Sequence, residues 1–136
     1  MSNLHPIIFV DDDEDDRFIF QEGFTQAGCD KMFIQYENGE QLFDFLESSS
    51  REQMPSMILL DLNMPVLDGR EVLQKIKSDS RWSHIPVIIF TTSRLTKDRK
   101  SCYELGANCF ISKPSEYQHI LDITKSIAQL WCLLDY

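Results

Sequence analysis

Asp11 and Asp12 directly follow one short apolar run, Asp61 a second, Thr91-Thr92-Ser93 a third, and Ser112-Lys113-Pro114 a fourth. Two carboxylates about 4 Å apart repel by roughly 4 kcal/mol at an effective dielectric near 20. Three of them gathered together either raise a pKa or hold a cation. An all-oxygen site with few ligands suits Mg2+, which keeps several waters and favours a phosphate oxygen as co-ligand. Lys113 would add a point charge, and Thr91 a hydroxyl donor, for the oxygens of a phosphoryl group. Such a site works by position and charge. The central carboxylate, Asp61, is the natural nucleophile, forming an aspartyl-phosphate.

Each residue also has a plainer reading. Residues 11–16 are six acids in a row, and a charge run usually forms a solvated face. That reading suits Asp13, Glu14, Asp15 and Asp16, which should open a helix where acids complement the dipole. It suits Asp11 and Asp12 poorly, because they abut an apolar strand. Asp61 stands between Leu60 and Leu62. A lone strand-end lysine or threonine would carry nothing; all four sets in this order point to phosphoryl chemistry.

The elements that must position these groups show in the hydrophobic pattern. Residues 7–10, 57–60, 87–90 and the weaker 109–111 are apolar runs without polar alternation, as expected of strands buried on both faces of a parallel sheet. Residues 32–36 are mixed and fit an edge strand. Helical spacing links Phe20, Phe24 and Ala27, closed by Gly28; Leu42, Phe43 and Leu46, opened at Asn38-Gly39; Val72, Leu73 and Ile76; and Cys102 with Leu105, stopped by Gly106. Ser115 and Gln118 form a capping-box pattern before Ile120, Ile123, Ile127, Leu130 and Leu134. Strand and helix therefore alternate five times, which predicts a doubly wound α/β fold with right-handed crossovers. In such sheets ligands bind beyond the carboxyl ends of the strands, where all four sets lie.

The 136 residues fit one compact domain, 1–136, with no output domain expected. A net charge of −9 disfavours nucleic acid and favours cations or basic partner surfaces. No apolar run approaches the ~18 residues of a membrane span, and the start lacks signal-peptide character, so a cytoplasmic location is expected. Cys29, Cys102, Cys109 and Cys132 show no Cys-x-x-Cys spacing and read as free thiols.

The series Val10-Asp11-Asp12, Leu60-Asp61-Leu62-Asn63-Met64-Pro65 with Asp68-Gly69, Phe90-Thr91-Thr92-Ser93, Gly106-Ala107-Asn108 and Ser112-Lys113-Pro114 resembles the receiver domain of CheY-like response regulators. The stretch Trp82-Ser83-His84-Ile85-Pro86-Val87-Ile88 and the acid-rich segment 11–17 are similar to the small receivers paired with bacterial phytochromes. The resemblance implies a flavodoxin-like (βα)5 fold with strand order 2-1-3-4-5. It implies that Asp61 takes a phosphoryl group from a histidine kinase, the latter stretch suggesting one of phytochrome type, or from a histidine phosphotransfer protein. Asp12, Asp61 and the backbone carbonyl of Asn63 would ligate Mg2+, with Asp11 helping through water. Lys113 would pair with the phosphate, and the Lys113–Pro114 bond would be cis. Thr91 would move toward the phosphoryl group while Phe110, at an aromatic switch position, packs inward without a tyrosine's hydroxyl. The output would be a changed surface on the fourth helix, fifth strand and fifth helix. Such a chain is a signalling domain, not a turnover enzyme, and a monomer or weak homodimer.

Two rivals use similar parts. A haloacid-dehalogenase-like phosphatase would read Asp11-x-Asp13 as its nucleophile motif, but Asp15 stands where that family has threonine or valine. A flavodoxin-like FMN protein needs a hydroxyl-rich loop after the first strand, and here that loop is acidic.

Overall fold

In the computed structural model, which describes residues 5–29 and 32–132, the apolar runs become five parallel strands. The elements are β1 (Ile7–Val10), α1 (Glu14–Gln26), β2 (Phe33–Tyr36), α2 (Gly39–Ser48), β3 (Met57–Leu60), α3 (Gly69–Ser78), β4 (Val87–Thr91), α4 (Thr96–Glu104), β5 (Cys109–Ser112) and α5 (Tyr117–Cys132). A 3-10 turn at Arg51–Gln53 joins α2 to β3. Strand order is β2-β1-β3-β4-β5, the expected doubly wound arrangement.

Every residue of β1, β3 and β4 is buried, whereas β2 and β5, at the two edges, are half-buried throughout. Alternate residues of the central strands supply two cores. On one face Ile8, Val10, Ile58, Leu60, Val87 and Ile89 pack against Leu42, Leu46, Val72, Leu73 and Ile76 of α2 and α3. On the other, Ile7, Phe9, Met57, Leu59, Ile88 and Phe90 pack against α1 and α5. Each fully buried aliphatic or aromatic side chain contributes about 1.5–3 kcal/mol. The register sets Val10 beside Leu60, and Leu60 beside Ile89. The residues that follow these strands must therefore emerge side by side.

Local signals fix several helix ends. Asp13 caps α1, accepting from the N–H groups of Asp15 and Asp16, and Asn38 and Asp68 cap α2 and α3 in the same way. Gly28 takes the left-handed conformation (φ 70°) that ends α1.

Four expectations need correction. Helix α5 starts at Tyr117, and the Gln118 amide points forward to Asp122 Oδ1 at 2.9 Å, so Ser115 and Gln118 do not form the anticipated cap. Its buried face is Ile120, Leu121, Thr124, Ile127 and Ala128, while Leu130 is exposed and Leu134 lies outside the described residues. The helix is rotated by its contact with α1, where Gly23 abuts Thr124 so closely that a Cβ on Gly23 would lie 2.4 Å from Thr124 Cγ2. Thr124 and Ala128 thus join Ile120, Leu121 and Ile127 on the buried face, where the close approach of α1 leaves no room for longer side chains. Cys29 and Cys132 are joined in a disulfide with Cα atoms 5.8 Å apart, leaving only Cys102 and Cys109 free. They lie 103 residues apart, so only the folded chain brings them together, and no sequence spacing reveals them. Finally, the described residues contain no cis peptide, so Lys113–Pro114 is trans, the isomer favoured by ~0.5–1 kcal/mol even before proline.

Candidate functional site

Backbone ladders carry each group past the strand ends. The N–H of Asp11 donates to the Tyr36 carbonyl at 3.1 Å, and that of Asp61 to the Val10 carbonyl at 3.1 Å. The N–H of Lys113 donates to the Thr91 carbonyl at 2.6 Å, extending the β4–β5 ladder past Ser112. Asp11, Asp61, Thr91 and Lys113 are all buried, a grouping that ordinary surface polarity does not produce.

The loop from β3 to α3 folds back over Asp61. The Gly69 N–H donates to the Leu62 carbonyl at 2.9 Å, and a Cβ on Gly69 would lie 2.2 Å from the Asp61 carbonyl oxygen. Only glycine fits. The same loop holds Val66 at φ 69° with its side chain in solvent, an unusual backbone state for a β-branched residue.

Lys113 is the electrostatic hub. Its Nζ donates to Asp11 Oδ2 at 2.6 Å and to Asp16 Oδ2 at 2.6 Å, and stands 3.8 Å from Asp61 Oδ2. The Phe90 ring centroid lies 5.8 Å away, and Phe20 meets Phe90 edge-on at 4.8 Å, so the ammonium sits over an apolar floor. Burial alone would discharge Lys113, but the charges of Asp11 and Asp61 and the hydrogen bonds it donates to Asp11 and Asp16 outweigh it and raise its pKa. The sequence places Asp16 on a solvated helix start. As a residue of the first turn beyond the Asp13 cap, it instead reaches back to the strand ends, and its place three residues after that cap was the available signal.

Asp11 is fully buried; besides Lys113 it accepts from the Asp13 N–H at 2.8 Å, while the Arg17 guanidinium donates to its carbonyl at 2.7 Å. Desolvation, reinforced by the Asp61 charge, pushes its carboxyl up to about 7 despite the opposing pull of Lys113. Asp61 is raised for the same leading reason, burial. The Lys113 charge, the Asn63 and Leu62 N–H groups and the Thr91 hydroxyl all face Asp61 and pull the other way. None of them completes a hydrogen bond to Oδ1, which is buried and unpartnered. A carboxylate oxygen in that condition fits a cation or an incoming electrophile.

One oxygen from each of Asp11, Asp12 and Asp61 lies within 4.8 Å of the others, with Asp12 on the exposed side. The structure thus brings together Asp11, Asp12, Asp61, Thr91 and Lys113. Asn63 is exposed in the β3–α3 loop beside them. Phe110 sits apart on β5, half-buried against the core under α2, α3 and α4, and its N–H donates to the Tyr103 hydroxyl of α4 at 3.0 Å. Among the described residues no helix is long and apolar enough to cross a membrane.

The profile of the response regulator receiver domain matches residues 7–125. Response regulator Rcp1 of Synechocystis sp. is 33% identical over 128 residues, covering 92% of this chain and 87% of Rcp1. The crystal structure of the Mn2+-bound form of Rcp1 aligns with a TM-score of 0.88 at 31% identity, over 97% of each chain. That of the phosphorylated cyanobacterial phytochrome response regulator RcpA gives 0.86 at 32% identity, again over 97% of each. The expected likeness to phytochrome-associated receivers is borne out. With five strands in this order and acids, hydroxyl and lysine meeting at their ends, the chain belongs to the response regulator receiver domain family, and is CheY-like.

Proposed function

We propose that Asp61 accepts a phosphoryl group from a phosphohistidine of a histidine kinase or histidine phosphotransfer protein. The observation that carries this reading is the unpartnered Oδ1 of buried Asp61, set among two further carboxylates and Lys113. An Asp61 oxygen forms the new P–O bond as the P–N bond to the imidazole breaks, and the electron pair returns to the ring nitrogen. Lys113 and Thr91 stand where phosphoryl oxygens would gather charge, so the chain's contribution is position and electrostatics.

Asp11, Asp12 and Asp61 with the Asn63 carbonyl would hold a divalent cation, Mg2+ in this reading. The donor set is all oxygen, as that ion requires, and the likeness to the Mn2+-bound form of Rcp1 supports it. When bound, the ion would neutralise carboxylate and phosphoryl charge. The new phosphoryl group adds about two negative charges. It would draw Thr91 toward it and allow Phe110 to pack inward, changing the surface of α4, β5 and α5.

The likeness to RcpA, a phytochrome response regulator, supports a phytochrome-type kinase as donor. The likeness to the Rcp1 and RcpA structures, over 97% of each, supports a receiver that signals by protein–protein contact. Incubation with acetyl phosphate and Mg2+ tests the assignment. Wild-type protein should gain one phosphoryl group by mass and Asp61→Asn none; equal labelling of the variant would refute it.

A further inference from the structure

Asp98, in the first turn of α4, is held from two sides. Arg70 Nη2, from the first turn of α3, donates to Oδ1 at 2.5 Å, and Ser93 Oγ, from the β4–α4 loop, donates to Oδ2 at 2.6 Å. The pair is partly exposed, with side-chain exposures of 34% for Arg70 and 14% for Asp98. With the Ser93 hydroxyl as a third member it is a charge-assisted network rather than an isolated ion pair.

Ser93 is fixed at every polar group. The Leu95 N–H donates to its Oγ at 3.3 Å, Ser112 Oγ donates to its carbonyl at 2.9 Å, and its own N–H donates to Thr91 Oγ1 at 3.3 Å. That last bond matters for the chemistry. A hydroxyl oxygen that already accepts from a backbone N–H keeps its own O–H free to donate, and the Thr91 hydroxyl faces Asp61.

We propose that Arg70 and Asp98 are positioning residues for phosphoryl transfer, clamping Ser93 so that the Thr91 O–H is aimed at Asp61 before a phosphoryl group arrives. This rests on the function proposed above. Neither residue is among the groups that gather around Asp61, so neither should affect cation binding. The clamp also couples three elements that meet at the site: Arg70 begins α3, Asp98 begins α4, and Ser93 follows β4.

The test is the labelling rate with acetyl phosphate at saturating Mg2+, with Mg2+ affinity read separately by thermal shift. Arg70→Gln and Asp98→Ala should each slow labelling roughly tenfold, the scale of one charge-assisted hydrogen bond, at unchanged Mg2+ affinity. Arg70→Lys should recover most of the rate. Asp98→Ala combined with Thr91→Ala should be no slower than Thr91→Ala alone, because the effect runs through Thr91. Unchanged rates would overturn the proposal. So would additive losses in the double variant, or equal losses in Arg70→Lys, which would mark a merely structural role. If wild-type protein takes up no label at all, the proposed function fails, and the clamp is judged by amide exchange at Ser93. Exchange at least about tenfold faster in Asp98→Ala supports it; unchanged exchange contradicts it.

Discussion

Three carboxylates share the Lys113 ammonium, so each protonation event at the site bears on the stability of the fold. Asp11 makes the sign explicit. Its folded pKa, raised to about 7, exceeds the ordinary 3.8, so between those values the folded chain binds a proton that the unfolded chain has lost. Stability contributed through Asp11 therefore falls as pH rises from about 4 to about 7. Chemical unfolding at a series of pH values should show that decline in wild-type protein and a flatter profile in Asp11→Asn. A divalent cation should restore wild-type stability most at the alkaline end, where protons no longer compete for the carboxylate. Lys113→Ala leaves Asp11 and Asp61 buried without their counter-charge. It should cost about 3 kcal/mol at pH 8 and less at pH 5, where Asp11 can be neutral. An equal loss at both pH values would mean that packing of the lysine stem, not its charge, is what matters.

The elements, more than any one residue, decide which parts of the site could be read from sequence. Apolar runs buried on both faces gave β1 and β3 their limits, and a run that ends in an acid at a strand tip marked Asp11, Asp12 and Asp61 in advance. Contacts that depend on the close approach of two distant elements left no such trace. The Asp16–Lys113 bond spans 97 residues and the Arg70–Asp98 bond 28. The turning of α5 onto Thr124 and Ala128 follows from Gly23 on α1, which helical spacing within α5 could not register. The β3–α3 loop offers two checks at this scale. Val66→Gly should raise stability by about 1 kcal/mol in thermal unfolding, since the left-handed backbone no longer opposes a β-branched side chain. Gly69→Ala should lower it by about 2 kcal/mol and slow labelling, because the added methyl must displace the loop from the Asp61 carbonyl. A Gly69→Ala protein with wild-type stability and rate would show that the loop yields freely.

Across the whole molecule the α1–α5 face is tied at one end by Cys29–Cys132, which joins the turn after α1 to the last turn of α5. Closing a chain segment of about 100 residues is worth at most about 4.7 kcal/mol by unfolded-chain entropy. Reduction, or Cys132→Ser, should lower the unfolding midpoint while leaving phosphoryl uptake intact, because the tie lies on the segment after α1 and the end of α5, away from the strand tips. Loss of labelling on reduction would instead connect the α1–α5 face to the site. At the acidic end of the sheet Asp61, and no other carboxylate, should form the acyl phosphate. Borohydride reduction of the labelled protein converts an aspartyl-phosphate to homoserine, which peptide mass mapping locates. Homoserine is expected at position 61 alone; homoserine at 11 or 12 with an intact Asp61 would place the acyl phosphate on another carboxylate.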